Sequence, residues 1–146
     1  MKIKLLDGVT ATNGVPTAGS ATVGFALKSG KDAGGVNRSI PPDGQCAIVV
    51  ESTAGSGTMT ATLKLWVYSD AVGEWVPLGT NATAADKGKL NEGNAIAEFA
   101  AVADRLLHTE LVNGLAHYER VYLEVVAIGG TGTAIDAWLI GRGARA

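Results

Sequence analysis

The sequence predicts an all-β fold: an antiparallel two-sheet sandwich, jelly-roll-like, with 8–9 strands. Three observations support this prediction. Apolar and polar residues alternate over several short segments, as in strands with one buried face. Turn-forming residues separate these segments, and glycine, the most permissive of them, accounts for 20 of the 146 residues. Strand and helix patterns do not alternate along the chain, so a parallel sheet is not expected. The length fits a single domain, residues 1–146, with a substantial core.

The first half of the chain begins with a short alternating segment at 2–6, which predicts the first strand. Turn signals at 7–20 predict an extended arm, so residues 1–19 comprise this strand and an N-terminal arm able to reach a neighbouring subunit. Further strands are expected at 21–28 and 45–52, with a loop at 29–44 that has room for a short strand at 36–40.

The second half opens with the clearest alternation, residues 58–68, followed by a turn and a returning strand at 74–78. Pro77 predicts an edge position for the returning strand, since proline cannot donate to a β-ladder. Residues 79–94 predict a loop. The segment 95–105 fits a helix or a strand, with the strand favoured slightly. Residues 106–112 predict a strand that ends at a hairpin-type turn, Asn113-Gly114.

The terminal stretch, residues 118–142, has two apolar runs joined by a Gly/Thr connector at 129–133. One register places Leu123 opposite Leu139 and keeps both apolar sets on one face of a sheet. Because glycine supplies the positive φ of a short loop, the pattern predicts an antiparallel hairpin. Glu124 and Asp136 lie close together in this register and are interpreted as surface charges.

The opposite face of this hairpin is unusually apolar. Large side chains fall there at Tyr122, Val126, Ile128, Trp138 and Ile140. A solvated face would carry polar residues, so either a loop or helix of the same chain or a neighbouring subunit is expected to cover it. Aromatic residues outside the aliphatic face can be sugar-stacking platforms, anchors of a protein interface or second-layer packing. The candidate interface residues are Trp66, Tyr68, Tyr122, Val126, Trp138 and Ile140.

Residues for catalysis or metal binding are sparse. His108 and His117 have no partner at metal-ligand spacing, and Cys46, the sole cysteine, alternates with apolar residues as a small buried hydrophobe does. The Gly-rich connector at 129–132 lacks the helix and lysine that phosphate loops need. The sequence therefore predicts no catalytic residue, no metal site, no cofactor and no enzymatic activity.

Charge excludes two further classes of partner. The net charge is −2 and no basic cluster occurs, so neither nucleic acid nor an anionic membrane surface is an expected partner. The N-terminal apolar run is too short for a signal-peptide core, and no apolar stretch approaches the roughly 20 residues of a membrane span. We expect a soluble protein made in a cytoplasm.

Several segments resemble a known class of proteins. They are KLLDGVTAT at 4–12, TMTATLKL at 58–65 with EWVPLG at 74–79, and ERVYLEV at 119–125 followed by GTGT at 130–133 and AWL at 137–139. In style, they are similar to small tailed-bacteriophage virion β-sandwich proteins of the capsid decoration or cement type. The resemblance implies a virion protein, made in the host cytoplasm, that binds the major capsid protein or another virion protein as a homo-oligomer, a trimer or dimer. A tail, collar or fibre-associated domain and a carbohydrate-binding module are the alternatives.

Overall fold

The fold of the chain is described from a computed structural model. It describes residues 2–16, 24–27, 30–38, 46–53, 56–78, 88–91, 98–99, 105–112 and 114–141. Seven strands of four or more residues carry the fold: β1 Lys2–Val9, β5 Cys46–Thr53, β6 Ser56–Ser69, β7 Glu74–Pro77, β9 Arg105–Val112, β10 Arg120–Thr131 and β11 Ala134–Gly141. The two-residue strands are β2 Phe25–Ala26, β3 Gly30–Lys31, β4 Asn37–Arg38 and β8 Glu98–Phe99.

These strands form two antiparallel sheets that pack as a sandwich, so the predicted fold class is confirmed. Sheet A has the order β1-β11-β5-β9. Sheet B has the order β2-β10-β6-β7, and β8 also pairs with β6. A small hairpin, β3-β4, forms a separate two-stranded sheet whose turn bonds to β1. Successive long strands change sheet at β5 to β6, β7 to β9, β9 to β10 and β10 to β11, which is the jelly-roll manner of connection.

The core lies between the sheets and follows the alternation in the sequence. Alternate residues are buried along β5 and β11 and along much of β6 and β10, because successive side chains point to opposite faces. The inward sets are Cys46, Ile48 and Val50 on β5; Ala61, Leu63, Leu65 and Val67 on β6; Val121, Leu123 and Val125 on β10; and Ile135, Ala137 and Leu139 on β11. The buried face predicted for each of these strands is therefore confirmed at these residues.

The predicted terminal hairpin is wrong. Strands β10 and β11 are not hydrogen-bonded to each other: Leu123 lies opposite Leu65 in sheet B, and Leu139 lies opposite Ile48 in sheet A. Gly132 (φ 73°) and Thr133 join the strands, and the Thr133 hydroxyl donates to the Gly129 carbonyl at 2.7 Å. Alternation reports which face of a strand is buried but not its pairing partner. Two strands facing each other across a core give the same pattern as two neighbours.

A β-bulge near the end of β10 changes which side chains face the core, so the predicted faces are wrong there. The register with β6 shifts between Val125 and Ala127. After the shift Ala127 is exposed, whereas Ile128 packs against the core. The extra residue of a bulge reverses the parity of everything after it, so the prediction assigned Ile128 to the wrong face.

The connection from β9 to β10 also differs from the prediction. Asn113 lies outside the described residues, and Gly114 (φ 81°) leads into a 3₁₀ turn, Leu115–His117. This turn carries the chain from sheet A to sheet B instead of closing a hairpin. Leu115 is fully buried, so the turn is anchored in the core.

Most of the remaining strand predictions agree with the described residues, but Gly30–Lys31 forms a strand, β3, within the loop predicted at 29–44. The first strand extends to Val9, three residues beyond the predicted end. A short strand occurs within 36–40 as β4, and Pro77 lies in the edge strand β7. Within 95–105, residues 98–99 and 105 are strand, as favoured, and the rest of that segment lies outside the described residues.

Candidate interaction surface

The six candidate interface residues do not form one surface. Trp138 and Ile140 project from the outer face of sheet A, whereas Trp66, Tyr68 and Tyr122 lie on the outer face of sheet B, with Val126 half-buried at the bulge. The sandwich separates the two groups. We call the two outward surfaces the A face and the B face.

The A face carries an apolar area that spans three strands. Cross-strand registers align two rows of outward side chains, Ile140–Ala47–Leu111 and Trp138–Val49–Thr109. Leu107 ends the next row, in which Glu51 and Asp136 are the other members. Leu107 and Leu111 are 63% and 68% exposed, and Ile140 is 37% exposed. The sequence prediction missed the two leucines, although they share parity with Thr109 in LLHTELV. Nothing in that short run distinguishes an outer from an inner leucine.

A polar border lies beside this area on β1. The ammonium groups of Lys2 and Lys4 lie 5.1 and 5.5 Å from the centre of the Trp138 ring, within cation–π range. Lys4 also bridges to Asp7 at 2.6 Å and to Asp136 at 3.4 Å. The hydrogen bond to Asp7, supplemented by Asp136, raises the pKa of Lys4. The apolar rows are thus bounded by charge along one side of the A face.

The B face is polar and aromatic, but its groups bond to one another. The Trp66 indole N–H donates to the Glu124 carboxylate at 2.9 Å, and the Lys64 ammonium lies 4.4 Å from the centre of the Trp66 ring. Glu124 is only 8% exposed, so its interpretation as a surface charge was wrong. Nor is it near Asp136, which belongs to the other sheet. Its carboxylate accepts the Trp66 N–H, and Lys64 lies opposite it in the register with β6.

Trp75 organises the aromatic part of the B face. Its ring lies 5.5 Å from that of Tyr68 and 6.2 Å from that of Tyr122, in tilted and edge-to-face arrangements. Trp75 is 6% exposed. Tyr68, a candidate interface residue, is buried in this cluster and offers little surface to a partner. These aromatics are therefore second-layer packing, one of the three roles considered.

The N-terminal arm covers the adjoining edge of β10. The Asn13 side chain donates to the Leu123 carbonyl at 3.0 Å and accepts from the Val125 N–H at 2.7 Å, as a paired strand residue would. The Tyr122 hydroxyl lies 2.8 Å from the Gly14 carbonyl oxygen and 3.0 Å from that of Asn13. In the described part of the arm, residues 10–16, these contacts are with the same chain. The expected contact of the arm with a neighbour stays a prediction.

A small cavity of about 210 Å³ lies between this arm, β1 and β10. Asn13 and Asp32 line it. The Asn13 amide bonds to β10, and the Asp32 carboxylate accepts from the backbone N–H groups of Lys4, Gly34 and Val36. These polar groups hold backbone and are not arranged toward the cavity as a ligand site would require.

Titratable groups elsewhere give no catalytic arrangement among the described residues. Three or more His, Cys, Asp or Glu side chains do not gather anywhere in that part of the chain. His108 and Glu110 form a pair, Nε2 to Oε1, at 3.0 Å. Burial raises the pKa of the Cys46 thiol, which disfavours the reactive thiolate.

Comparison with protein-family models, curated proteins and solved structures finds no match to this chain. Within the described residues, no helix is long and apolar enough to cross a membrane. The A face is thus the strongest candidate for a functional surface, on physical grounds alone.

Proposed function

We propose that this chain is a non-enzymatic structural subunit of a phage virion. In its most specific form, it is a homo-oligomeric decoration or cement protein that binds the assembled capsid shell through the A face. The observation that carries the proposal is the exposure of Leu107, Leu111 and Ile140 on one side of one sheet. Leu111 and Ile140 share one apolar row with Ala47, and exposed apolar area of this kind marks interaction sites on folded proteins. The resemblance of the sequence to small virion proteins supplies the expected partner, the major capsid protein.

The energetic basis of such a role is selective binding. A subunit that binds the assembled shell but not its separated proteins stabilises the shell by mass action. The rigid sandwich suits this role, because a preformed surface loses little conformational entropy on binding.

The alternatives make different demands on the same surfaces. A tail, collar or fibre-associated subunit would also use an apolar face, but it would occur in few copies per particle. A carbohydrate-binding module would need an open aromatic ring. Lysine ammonium groups occupy positions over both Trp66 and Trp138, where a stacked sugar would compete with them. The packing therefore favours a protein partner over a glycan.

The first test is quantitative mass spectrometry of purified virus particles from the source, counting this chain against the major shell protein. A ratio near one, or a simple fraction of it, is expected for a decoration protein. A handful of copies would indicate a tail or collar position. Absence from particles would overturn the virion proposal, and quenching of tryptophan fluorescence by glycans would then be measured.

A second test addresses the face itself. Ile140→Glu places a charge in the apolar row and should weaken binding to shells stripped of this protein about 100-fold or more, because the charge is desolvated in the contact. Val72→Glu is the matched control, since Val72 is equally apolar and 60% exposed but lies in the turn before β7. Equal binding by the two folded variants would exclude the A face as the docking surface.

A further inference from the structure

The edges of the sandwich differ in what covers them. At the edge of β1, the Lys4 N–H donates to the Asp32 carboxylate at 3.1 Å, and the Ala33 N–H donates to the Lys4 carbonyl at 2.7 Å. At the edge of β10, β2 and the Asn13 side chain supply the partners. Both of these edges are therefore blocked by other parts of the same chain.

The outer side of β6 is also occupied along most of its length. Strand β7 pairs with residues 66–69, β8 pairs with residues 59–60, and residues 88–90 fill the interval. In that interval the Leu65 N–H donates to the Gly88 carbonyl and the Leu90 N–H donates to the Leu63 carbonyl. Strand β7 is itself short and carries Pro77, which cannot donate to a further strand.

Strand β9 contrasts with these edges. It is eight residues long and pairs with β5 on one side, and no described residue pairs with its other side. It also carries the two most exposed leucines of the described chain, Leu107 and Leu111. Natural proteins usually shorten, charge or cover such an edge, because it is a template for another strand.

The sequence of β9 suits one particular second strand, namely its own copy. Residues 107–111 read Leu-His-Thr-Glu-Leu, so the reversed segment again places leucine at both ends. In an antiparallel pair related by a twofold axis through Thr109, Leu107 lies opposite Leu111 of the partner subunit. His108 then lies opposite Glu110 of the partner subunit. Apolar pairs directly across from each other stabilise a sheet. The imidazole and the carboxylate are complementary hydrogen-bonding groups, and within each subunit Glu110 Oε1 also contacts His108 Nε2 and accepts from the Asn91 N–H.

Neighbouring symmetric registers lack this complementarity. A twofold axis through Glu110 would place two carboxylates opposite each other, and one through His108 would oppose two imidazoles and pair Leu107 with a threonine. A twofold axis perpendicular to the sheet allows only those registers in which outward residues of one subunit lie opposite outward residues of the other. The axis through Thr109 is therefore selected by chemistry.

We infer that two copies of this chain associate through β9, antiparallel and with Thr109 on the twofold axis. The inference names the homo-oligomeric contact and rests to that extent on the proposed function. The two four-stranded A sheets would then merge into one continuous sheet of eight strands. Leu107 and Leu111 of the two subunits form two apolar pairs, one on each side of the axis, so each row Ile140–Ala47–Leu111 is extended by one leucine of the partner subunit.

The register is tested by thiol cross-linking of the full chain with a short bismaleimide. Thr109→Cys should give a covalent dimer at low protein concentration, since each new thiol faces its copy. Leu107→Cys alone should not, because its copies lie about 13 Å apart along the strands. A mixture of Leu107→Cys and Leu111→Cys should cross-link again. The wild-type chain is the control, as Cys46 is buried. Cross-linking of Leu107→Cys alone, or none by Thr109→Cys, would overturn the register.

The contact is tested by sedimentation equilibrium. Leu107→Glu with Leu111→Glu should raise the dimer dissociation constant about 100-fold, because carboxylates then face each other. A mixture with the Leu107→Lys, Leu111→Lys chain should restore a heterodimer. Val15→Glu with Val72→Glu is the matched control and should leave dimerisation unchanged. A monomeric wild-type chain would refute the inference but not the virion role. A dimer absent from particles would refute the virion role but not the inference.

Discussion

The two outer faces of the sandwich are built from strands of the same kind, yet among the described residues only the side chains of the B face bond extensively to one another. On the B face, Trp75 packs on Tyr68 and Tyr122, and Glu124 receives the Trp66 indole. On the A face, Leu107 and Leu111 remain exposed. An outer face that bonds to itself contributes to folding, whereas one that leaves apolar area in water contributes to association.

This difference predicts opposite consequences for substitutions on the two faces. Changes on the B face should lower the stability of the isolated chain. Changes on the A face should leave that stability nearly unaltered and reduce association. The following experiments can sharpen or contradict the comparison.

The largest effect is expected for Trp75→Ala, which should lower the free energy of unfolding by about 3–5 kcal/mol. The reason is that Trp75 is nearly fully buried between two aromatic rings. Trp138→Ala on the A face should cost only about 1 kcal/mol, since its ring is half-buried beside lysines. Urea unfolding followed by circular dichroism measures both. Equal losses would contradict the assignment of Trp75 to folding and Trp138 to an open face.

Asn13→Ala should lower the free energy of unfolding by about 1–3 kcal/mol, because it removes two hydrogen bonds and leaves the buried Val125 N–H without its acceptor. Limited proteolysis should also become faster within residues 10–16, as the arm detaches from β10. Thr12→Ala is the matched control at an exposed neighbouring position. Identical protease sensitivity of the two variants would mean that the arm is held by other contacts.

The stability of the chain should fall at alkaline pH through Tyr122. Burial, with the nearby Glu124 carboxylate, raises the pKa of Tyr122 above its ordinary value of 10.0. The folded chain thus retains the phenol proton more firmly than the unfolded chain. This contribution is fully present below pH 10.0 and is lost as pH rises through the higher pKa of the folded state.

Thermal unfolding across this range measures the loss, and Tyr122→Phe should make the decline shallower. Cys46, whose pKa is also raised by burial, contributes in the same direction and remains in that variant. A decline of the same steepness in both chains would mean that Tyr122 does not titrate during unfolding.

The smallest change in stability is expected for Leu107→Ser combined with Leu111→Ser. Both side chains are exposed, so the free energy of unfolding of the monomer should stay within about 0.5 kcal/mol of the wild-type value. Sedimentation should nevertheless detect weaker association. A strongly destabilised monomer would indicate that these leucines belong to the fold and that the A face is not an open surface.

The sequence predicted the inward faces of the strands well, because alternation depends only on the pleat of each strand. Cys46 to Val50, Ala61 to Val67 and Val121 to Val125 all follow it. The candidate surface was predicted only in part. Trp138 and Ile140 were identified, whereas Leu107 and Leu111 were missed, since a leucine of either parity fits a strand buried on one or both faces.

The sequence could not predict which residues bond to the side chains of each outer face. Trp66 and Glu124 are 58 residues apart, and Asn13 and Val125 are 112 residues apart. No local pattern relates such residues. The bulge at Val126 was hidden for a similar reason, because an extra residue in one strand is defined only by the register of its neighbour.

What the sequence determined by itself is the strand class, the buried parity and the places where the chain turns. These properties follow from side-chain alternation and from the backbone freedom of glycine, which act over a few residues. Only the tertiary structure decided that β10 and β11 face each other across the core, that the arm closes the B side, and that β9 is left at an edge. Those outcomes depend on which hydrogen-bonding edges meet, and that choice is made between segments far apart in the chain.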